Sequence, residues 1–172
     1  MGKKHLELSL PQPQEIDSTF TYIIGIDPDI EASGIAIWCE NAKEYIAYTR
    51  VKFFELYQYL DDLTKYGIQF EVAIEAGWRN PSIMHNIKAY TTIPKAASIG
   101  ANVGANHECG RKIVEMCQWL GIKYYELTPT SSKWTPTMLQ HLTGIELGKT
   151  QQDVIDAMRL VFHFKRPIEH II

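Results

Sequence analysis

The sequence predicts an α/β domain with the element order β-β-β-α-β-α-β-α and one additional short helix. Short apolar runs bounded by turn residues recur in the first half of the chain, which is typical of strands. Longer segments with apolar residues at helical spacing follow them. The chain has 172 residues, 45% of them hydrophobic, which is enough for one domain with a sizeable core.

The first three predicted strands lie close together in the chain and are separated only by turns. They are expected at 21–27, 34–39 and 44–51. Pro28 through Ser33 and Glu40 through Lys43 form the turns between them. The three strands are therefore predicted to form an antiparallel meander.

The rest of the domain is predicted to alternate helices with strands. These elements are expected as a helix at 53–65, a strand at 70–75, a helix at 95–119, a strand at 122–127, a short helix at 134–142 and a final helix at 150–163. Gly100 and Gly104 lie inside the long helix, where glycine costs about 1 kcal/mol relative to alanine. They indicate close approach of another backbone or a ligand, or tight packing of the helix on the sheet.

Residues 1–18 contain two prolines and no periodic apolar pattern, so we expect a flexible N-terminal arm. The domain should then span 19–166, followed by a tail at 167–172. No apolar run reaches the length of a membrane span and no secretory signal opens the chain, so a cytoplasmic protein is expected. The formal charge of −3 is not by itself typical of a protein that binds nucleic acid.

Two predicted strands end in an acid, and the last predicted helix carries two acids three residues apart. Asp27 and Glu75 end the strands, while Asp153, Asp156 and Lys149 share the polar arc of the helix. A carboxylate on a core strand is costly unless a cation meets it. Two magnesium ions held by carboxylates can bind the attacking water and the leaving oxygen of a phosphodiester. The four acids therefore predict a divalent-metal site, with Lys149 as a candidate contact to a phosphate or the water.

Each acid also has an ordinary structural explanation. Asp27 precedes a proline at a turn, Glu75 could leave the core toward solvent, and a pair of acids three apart is common on a solvated helix face. Their joint occurrence in this element order favours the metal site.

The stretch 144–150 is similar to a P-loop, but it has three residues between its glycines instead of four and follows a helix. No nucleotide cofactor is therefore predicted.

These motifs resemble those of the RuvC-like Holliday junction resolvases of the RNase H-like superfamily, in particular the short bacterial and phage-type forms. Gly25-Ile26-Asp27-Pro28 is similar to the first-strand motif, Glu75 to the fourth-strand acid, and Asp153 and Asp156 to the acid pair of the last helix. The glycine-spaced stretch 99–104 is similar to a helix that runs beside the junction in that family. The resemblance covers most of residues 21–163.

The resemblance implies an RNase H-like fold: a mixed five-stranded sheet, three antiparallel strands followed by two parallel ones, flanked by helices. It also implies a homodimer that cuts four-way DNA junctions with two Mg²⁺ ions per site, for which Mn²⁺ can substitute. Asp27, Glu75, Asp153 and Asp156 would be the metal ligands, although whether Asp153 or another residue completes the site stays open. An aromatic residue three positions after the fourth-strand acid helps to distort the junction in that family. The implied contacts to DNA are Trp78, which holds that position, and Arg79, Lys88, Lys95, Gly100, Gly104, Lys112 and Lys133.

Three other interpretations remain open from the sequence. An RNase H-type or flap nuclease would keep the fold and change the substrate. A non-catalytic module would bind junctions without cutting them. The first hairpin is also similar to the start of actin-like and sugar-kinase domains, but those proteins need a second lobe, which 172 residues hardly provide.

Overall fold

A computed structural model of the chain describes residues 8–80, 88, 91–130 and 132–164. Five strands form one sheet in the order β3-β2-β1-β4-β5. The strands are β1 (Thr21–Asp27), β2 (Ser33–Cys39), β3 (Glu44–Val51), β4 (Gln69–Glu75) and β5 (Tyr124–Leu127). The β1–β2 and β2–β3 pairs are antiparallel, whereas β1–β4 and β4–β5 are parallel. This confirms the predicted mixed sheet.

The main helices lie close to their predicted positions. They are α1 (Phe53–Lys65), α2 (Ile93–Trp119), α3 (Pro136–Thr143) and α4 (Gln152–Phe164). Helix α3 begins two residues later than expected because Thr135 caps it, accepting a hydrogen bond from the backbone N–H of Met138. Within the described ranges, no helix combines the length and hydropathy that a membrane span requires.

Residues on alternate positions of β1 contribute to two separate cores. Tyr22, Ile24 and Ile26 belong to a core that includes residues of α1 and α2. Ile23 belongs to a second core, which is formed largely with α3 and α4. Because side chains alternate along a strand, Asp27 at the end of β1 points to the same face as Ile23, the face that α4 covers.

Helix α4 packs directly on β1 and β2 because glycines face it. A Cβ atom on Gly25 would lie 2.4 Å from the carbonyl oxygen of Ala157, and one on Gly34 would lie 2.2 Å from that of Asp153. Real Cβ atoms do not approach a backbone this closely, so the helix can occupy its place only above glycines. The two glycines therefore bring the start of α4 to the end of β1, where Asp27 lies.

Residues 8–18, which the sequence places in a flexible arm, contact the sheet in the structure. The backbone N–H of Tyr48 donates to the carbonyl oxygen of Leu8 at 3.0 Å. Leu10 and Ile16 pack against the first core, and Pro13 is buried in a short 3₁₀ turn. Leu10 and Ile16 thus attach this segment to the core, although its prolines and the absence of a periodic apolar pattern predicted a flexible arm. Residues 1–7 and the expected tail at 167–172 lie outside the described residues.

Candidate metal centre

Three carboxylates from distant parts of the chain meet at one edge of the sheet. Asp27 and Glu75 are the last residues of two neighbouring parallel strands, one position beyond the paired residues Ile26 and Ile74. Asp156 reaches the same place from α4. One carboxylate oxygen of each acid lies within 4.8 Å of one from each of the others. We call Asp27, Glu75 and Asp156 the acidic triad.

Burial makes the charged form of the triad costly. It raises the pKa of Asp27 well above its usual range, and the charges of Glu75 and Asp156 raise it further. Burial also raises the pKa of Glu75, although Lys133 and Arg159 act in the opposite direction. The three acids are thus held together against their mutual repulsion, an arrangement that a bound cation would stabilise.

Two cationic side chains contact the triad. The ammonium Nζ of Lys133 lies 2.6 Å from Oδ2 of Asp156, and Nη2 of Arg159 lies 3.7 Å from Oε1 of Glu75. Desolvation lowers the pKa of Lys133, but its hydrogen bond to Asp156 and the nearby acids outweigh this and raise it. The side-chain amide of Gln152 donates to the other oxygen of Asp156 at 3.0 Å. The cations therefore offset part of the negative charge of the triad.

The triad has the properties of a divalent-cation site. Oε2 of Glu75 is buried and has no hydrogen-bond partner among the described residues. A buried carboxylate oxygen without a partner is unusual, because burial removes the water that would otherwise bind it. Carboxylate oxygens are the preferred ligands of Mg²⁺ and Mn²⁺. The residues present therefore fit such an ion, and Asp27, Glu75 and Asp156 are the residues that would hold it.

Asp153, the fourth predicted ligand, does not join the other acids. The guanidinium of Arg50 binds its carboxylate at two points, with 2.6 Å from Nε to Oδ2 and 2.7 Å from Nη2 to Oδ1. Asp153 faces β2 at Gly34, whose partner in β3 is Arg50. In this structure Asp153 is thus paired with Arg50 and lies outside the acidic triad. Lys149 lies in the exposed 3₁₀ turn Lys149–Gln151 that precedes α4.

Trp78 lies three residues after Glu75 in the 3₁₀ turn Gly77–Arg79 and is half-buried. Its indole Nε1 donates to Oε2 of Glu126 at 3.2 Å, and Nε of Arg79 donates to the same oxygen at 2.9 Å. A Cβ atom on Gly110 would lie 2.2 Å from the indole ring, so Trp78 packs directly on the backbone of α2. Trp78, the predicted junction-distorting residue, is therefore held in the turn after β4 by contacts with α2 and β5.

The other predicted DNA contacts lie on exposed parts of the chain. Lys88 and Lys95 are exposed, and Lys112 forms an ion pair with Glu115 at 2.7 Å. A Cβ atom on Gly100 or Gly104 would have no described atom within 4 Å, so the described part of the chain packs nothing against them. Of the two explanations for these glycines, packing on the sheet is excluded by this geometry.

The sequence did not reveal the arginines of this region. Arg159 lies one turn after Asp156 and is 2% exposed, and Arg50 lies on the edge strand β3. A buried acid at a strand end signals that a cation is needed, but the sequence does not show which of the 17 basic residues supplies it.

The sequence also gives no signal for the role of Asn106 in α2. Its side chain donates a hydrogen bond to Asp29 and accepts one from the backbone N–H of Ile30, both at 3.0 Å. Asn106 therefore fixes the turn after Asp27.

Comparisons with known proteins yield a structural match. No protein-family model and no curated protein sequence matches the chain. The structure of Thermus thermophilus RuvC in complex with a Holliday junction substrate superimposes with a TM-score of 0.50 and 12% identity. The match covers 81% of this chain and 89% of that chain.

The chain has a RuvC-like fold. A second structure of Thermus thermophilus RuvC gives a TM-score of 0.45 at 13% identity, covering 84% of this chain and 95% of that one. The match to the junction-bound structure and the strand order confirm the predicted fold, a mixed five-stranded sheet flanked by helices.

Proposed function

We propose that this RuvC-like protein is a metal-dependent endonuclease that hydrolyses phosphodiester bonds in four-way DNA junctions. The observation that carries the proposal is the position of the acidic triad at the carboxyl ends of the neighbouring strands β1 and β4, against α4. One matched RuvC structure is described as a complex with a Holliday junction, which supports branched DNA as the substrate class.

In the proposed reaction Asp27, Glu75 and Asp156 would hold Mg²⁺, or Mn²⁺ in its place. Such ions lower the pKa of a bound water and neutralise the charge that develops on the phosphate. The side chain of Lys133 is 60% exposed while its ammonium contacts Asp156, so it lies at the rim of the triad and is placed to meet a phosphate oxygen. Lys149 is proposed as a second phosphate contact from the turn before α4.

We propose two metal ions per active site, with Asp153 as the ligand that completes the site of the second ion. Recruitment of Asp153 would require the loss of its pairing with Arg50, because both oxygens of its carboxylate are engaged by the guanidinium. Asp153 would then hold a second cation in place of Arg50, and the phosphate of a DNA substrate would add negative charge that favours such a cation at the site.

The proposed DNA surface continues from the triad along the turn after Glu75 and along α2. Trp78 and Arg79 lie on this turn, and the open stretch of α2 at Gly100 and Gly104 permits close approach of a DNA backbone. We place Lys88, Lys95 and Lys112 among the backbone contacts, together with Lys133. A homodimer would present two such sites to a junction with approximate two-fold symmetry. Action on cellular DNA fits the expected cytoplasmic location.

Replacement of Asp27 by Asn tests the proposal. The variant should lose cleavage of a four-way junction in Mg²⁺ by about three orders of magnitude, because a triad ligand loses its charge while the surface that binds DNA is unchanged. Junction binding, measured by fluorescence anisotropy in Ca²⁺, should stay at the wild-type level. Asp61→Asn is a matched control, since Asp61 pairs with Lys65 on the surface of α1.

Parallel assays on flaps and RNA–DNA hybrids distinguish the nuclease classes. Preference for a flap or a hybrid would support the other nucleases of this fold. Junction binding without nicking by the wild-type protein would indicate a binding module. Cleavage by Asp27→Asn at the wild-type rate would contradict the catalytic role of the triad.

A further inference from the structure

The two cations beside the triad are held in different ways. Lys133 reaches Asp156 with a side chain that is 60% exposed, whereas the side chain of Arg159 is only 2% exposed. The exposed stem of Lys133 allows its ammonium to move toward solvent, whereas the guanidinium of Arg159 is enclosed by protein. Arg159 is therefore the permanent cation of the site.

Arg159 is fixed by contacts with two different elements. Its Nη1 donates to the hydroxyl of Thr130 and, at 3.1 Å, to the carbonyl oxygen of Ser132, in the loop between β5 and α3. Its Nη2 faces Glu75 at the end of β4, at a distance of 3.7 Å that is longer than a hydrogen bond. The hydrogen bonds to the loop thus set the position of the guanidinium, whereas its interaction with Glu75 is mainly electrostatic attraction.

The other oxygen of Glu75, Oε2, is buried and has no hydrogen-bond partner in the described residues. The carboxylate therefore has one oxygen near a fixed positive charge and a second, buried oxygen that is available as a ligand atom. A cation bound at this second oxygen would lie close to the guanidinium of Arg159, and two positive charges in a buried site repel one another.

We propose that Arg159 is a resident counter-ion of Glu75, which stabilises the acidic triad when no divalent cation is bound and lowers the affinity of the triad for one. The inference rests on the proposed metal site. Its physical basis is that removal of the guanidinium destabilises the metal-free protein more than the metal-loaded one, in which the ion replaces the lost charge. By linkage, loss of this charge must then tighten metal binding.

A merely structural role for Arg159 predicts the opposite result. If the arginine served only to hold the loop or to fill space, its loss would perturb the triad and would weaken metal binding or leave it unchanged. Tightened metal binding in a less stable protein is therefore the signature of a counter-ion.

The test compares Arg159→Gln, which removes the charge and keeps a donor for the loop, with Arg159→Lys, which keeps the charge. Binding of Mn²⁺ to the DNA-free proteins is measured by titration calorimetry, and Tm is measured with and without Mn²⁺. We expect Arg159→Gln to have a lower metal-free Tm, a larger rise of Tm with Mn²⁺, and a Kd for Mn²⁺ about tenfold tighter than wild type. Arg159→Lys should remain within about threefold of the wild-type Kd, because it retains a positive charge at the site.

The double variant Glu75→Gln, Arg159→Gln covers the case in which the single variant folds poorly. Removal of both charges should give a higher metal-free Tm than Arg159→Gln alone, because Glu75 no longer forms a buried carboxylate that has lost its counter-ion. An unchanged or weaker Kd in a folded Arg159→Gln protein, or a double variant no more stable than the single one, would overturn the role of Arg159 while the metal site stood. Absence of Mn²⁺ binding by the wild-type protein would remove the metal site itself and this role with it.

Discussion

Arg50 and Asp153 form a two-point ion pair that joins the edge strand β3 to the first turn of α4. Both oxygens of the carboxylate accept hydrogen bonds from the guanidinium, and Arg50 also donates to the carbonyl oxygen of Thr150. A planar guanidinium matches a carboxylate in this geometry, which holds both groups in fixed orientation. The two acids of the Asp-x-x-Asp motif therefore have different partners. Asp156 is part of the acidic triad, whereas Asp153 pairs with Arg50 and so connects α4 to the edge of the sheet.

Metal binding by the DNA-free protein should therefore depend on Asp156 and not on Asp153. We expect Asp156→Asn to weaken Mn²⁺ binding by at least about tenfold, since a direct ligand loses its charge. Asp153→Asn should leave the affinity within about threefold of wild type. Its cost in stability should be below about 1 kcal/mol, because Arg50 is 42% exposed and its charge is screened by solvent.

Titration calorimetry with Mn²⁺ and thermal unfolding of the three proteins check this prediction. Equal loss of binding in the two variants would contradict it. It would mean that Asp153 leaves Arg50 for the metal even when no DNA is present.

The glycines beneath α4 should not tolerate a side chain. A methyl group on Gly25 or Gly34 would lie 2.4 or 2.2 Å from a backbone oxygen of α4, so the helix would have to move. We expect Gly25→Ala and Gly34→Ala each to lower the free energy of unfolding by about 3 kcal/mol and to weaken Mn²⁺ binding, since Asp156 would move with the helix. Urea unfolding and calorimetry measure both effects.

Gly100→Ala and Gly104→Ala provide the matched comparison. No described atom lies within 4 Å of either added methyl group, so these changes should leave stability unchanged or raise it by up to about 1 kcal/mol. If DNA approaches α2 at these glycines, the same variants should weaken junction binding without any loss of stability. Unchanged junction binding would exclude this stretch from the DNA surface, and destabilisation would show that the helix packs there.

The sequence was sufficient to predict most of the fold and the three acids of the triad. Asp27 and Glu75 each end an apolar strand, which the local pattern indicates, and the resemblance to the RuvC-like resolvases implied the mixed sheet in which β1 pairs in parallel with β4. Their proximity is therefore a consequence of local pattern together with that topology. The place of Asp156 follows from the apolar arc of α4, which fixes the face that the helix turns to the sheet.

The cations could not be predicted in the same way. Whether Arg159 faces Glu75 depends on the course of the loop that carries Thr130 and Ser132, and no periodicity encodes this. Arg50 meets Asp153 only because β3 lies at the edge of the sheet beside the start of α4. The sequence does not indicate that Arg50 is the partner of Asp153, because only the tertiary structure brings the two residues together.

The acidic triad should make the metal-free protein less stable as the pH rises. Because burial and the neighbouring acids raise the pKa of Asp27, the native state binds a proton that the unfolded state releases near pH 4. Between that pH and the native pKa, the free energy of unfolding falls as the pH increases. Asp27→Asn removes this contribution, so its Tm in EDTA should exceed that of wild type by a margin that grows from about pH 4 toward neutral pH.

Thermal unfolding across this pH range, with and without Mn²⁺, measures the margin. Mn²⁺ should reverse the order of the two proteins at neutral pH, because only the wild-type triad retains all of its ligands. A margin that does not change with pH would show that Asp27 has an ordinary pKa and that the triad is not under electrostatic strain.

Trp78 should affect junction cleavage more than it affects metal binding. Its indole packs on Gly110 and donates to Glu126, so Trp78→Ala should cost about 1–3 kcal/mol of stability at this half-buried site. Loss of the aromatic face should reduce cleavage of four-way junctions by at least about tenfold, whereas the Kd for Mn²⁺ should stay within about threefold of wild type. Trp78→Phe keeps an aromatic ring and should recover most of the cleavage.

Trp119→Ala is the matched control for Trp78→Ala, because Trp119 is 83% exposed at the end of α2. Wild-type cleavage by Trp78→Ala would restrict Trp78 to the packing of α2.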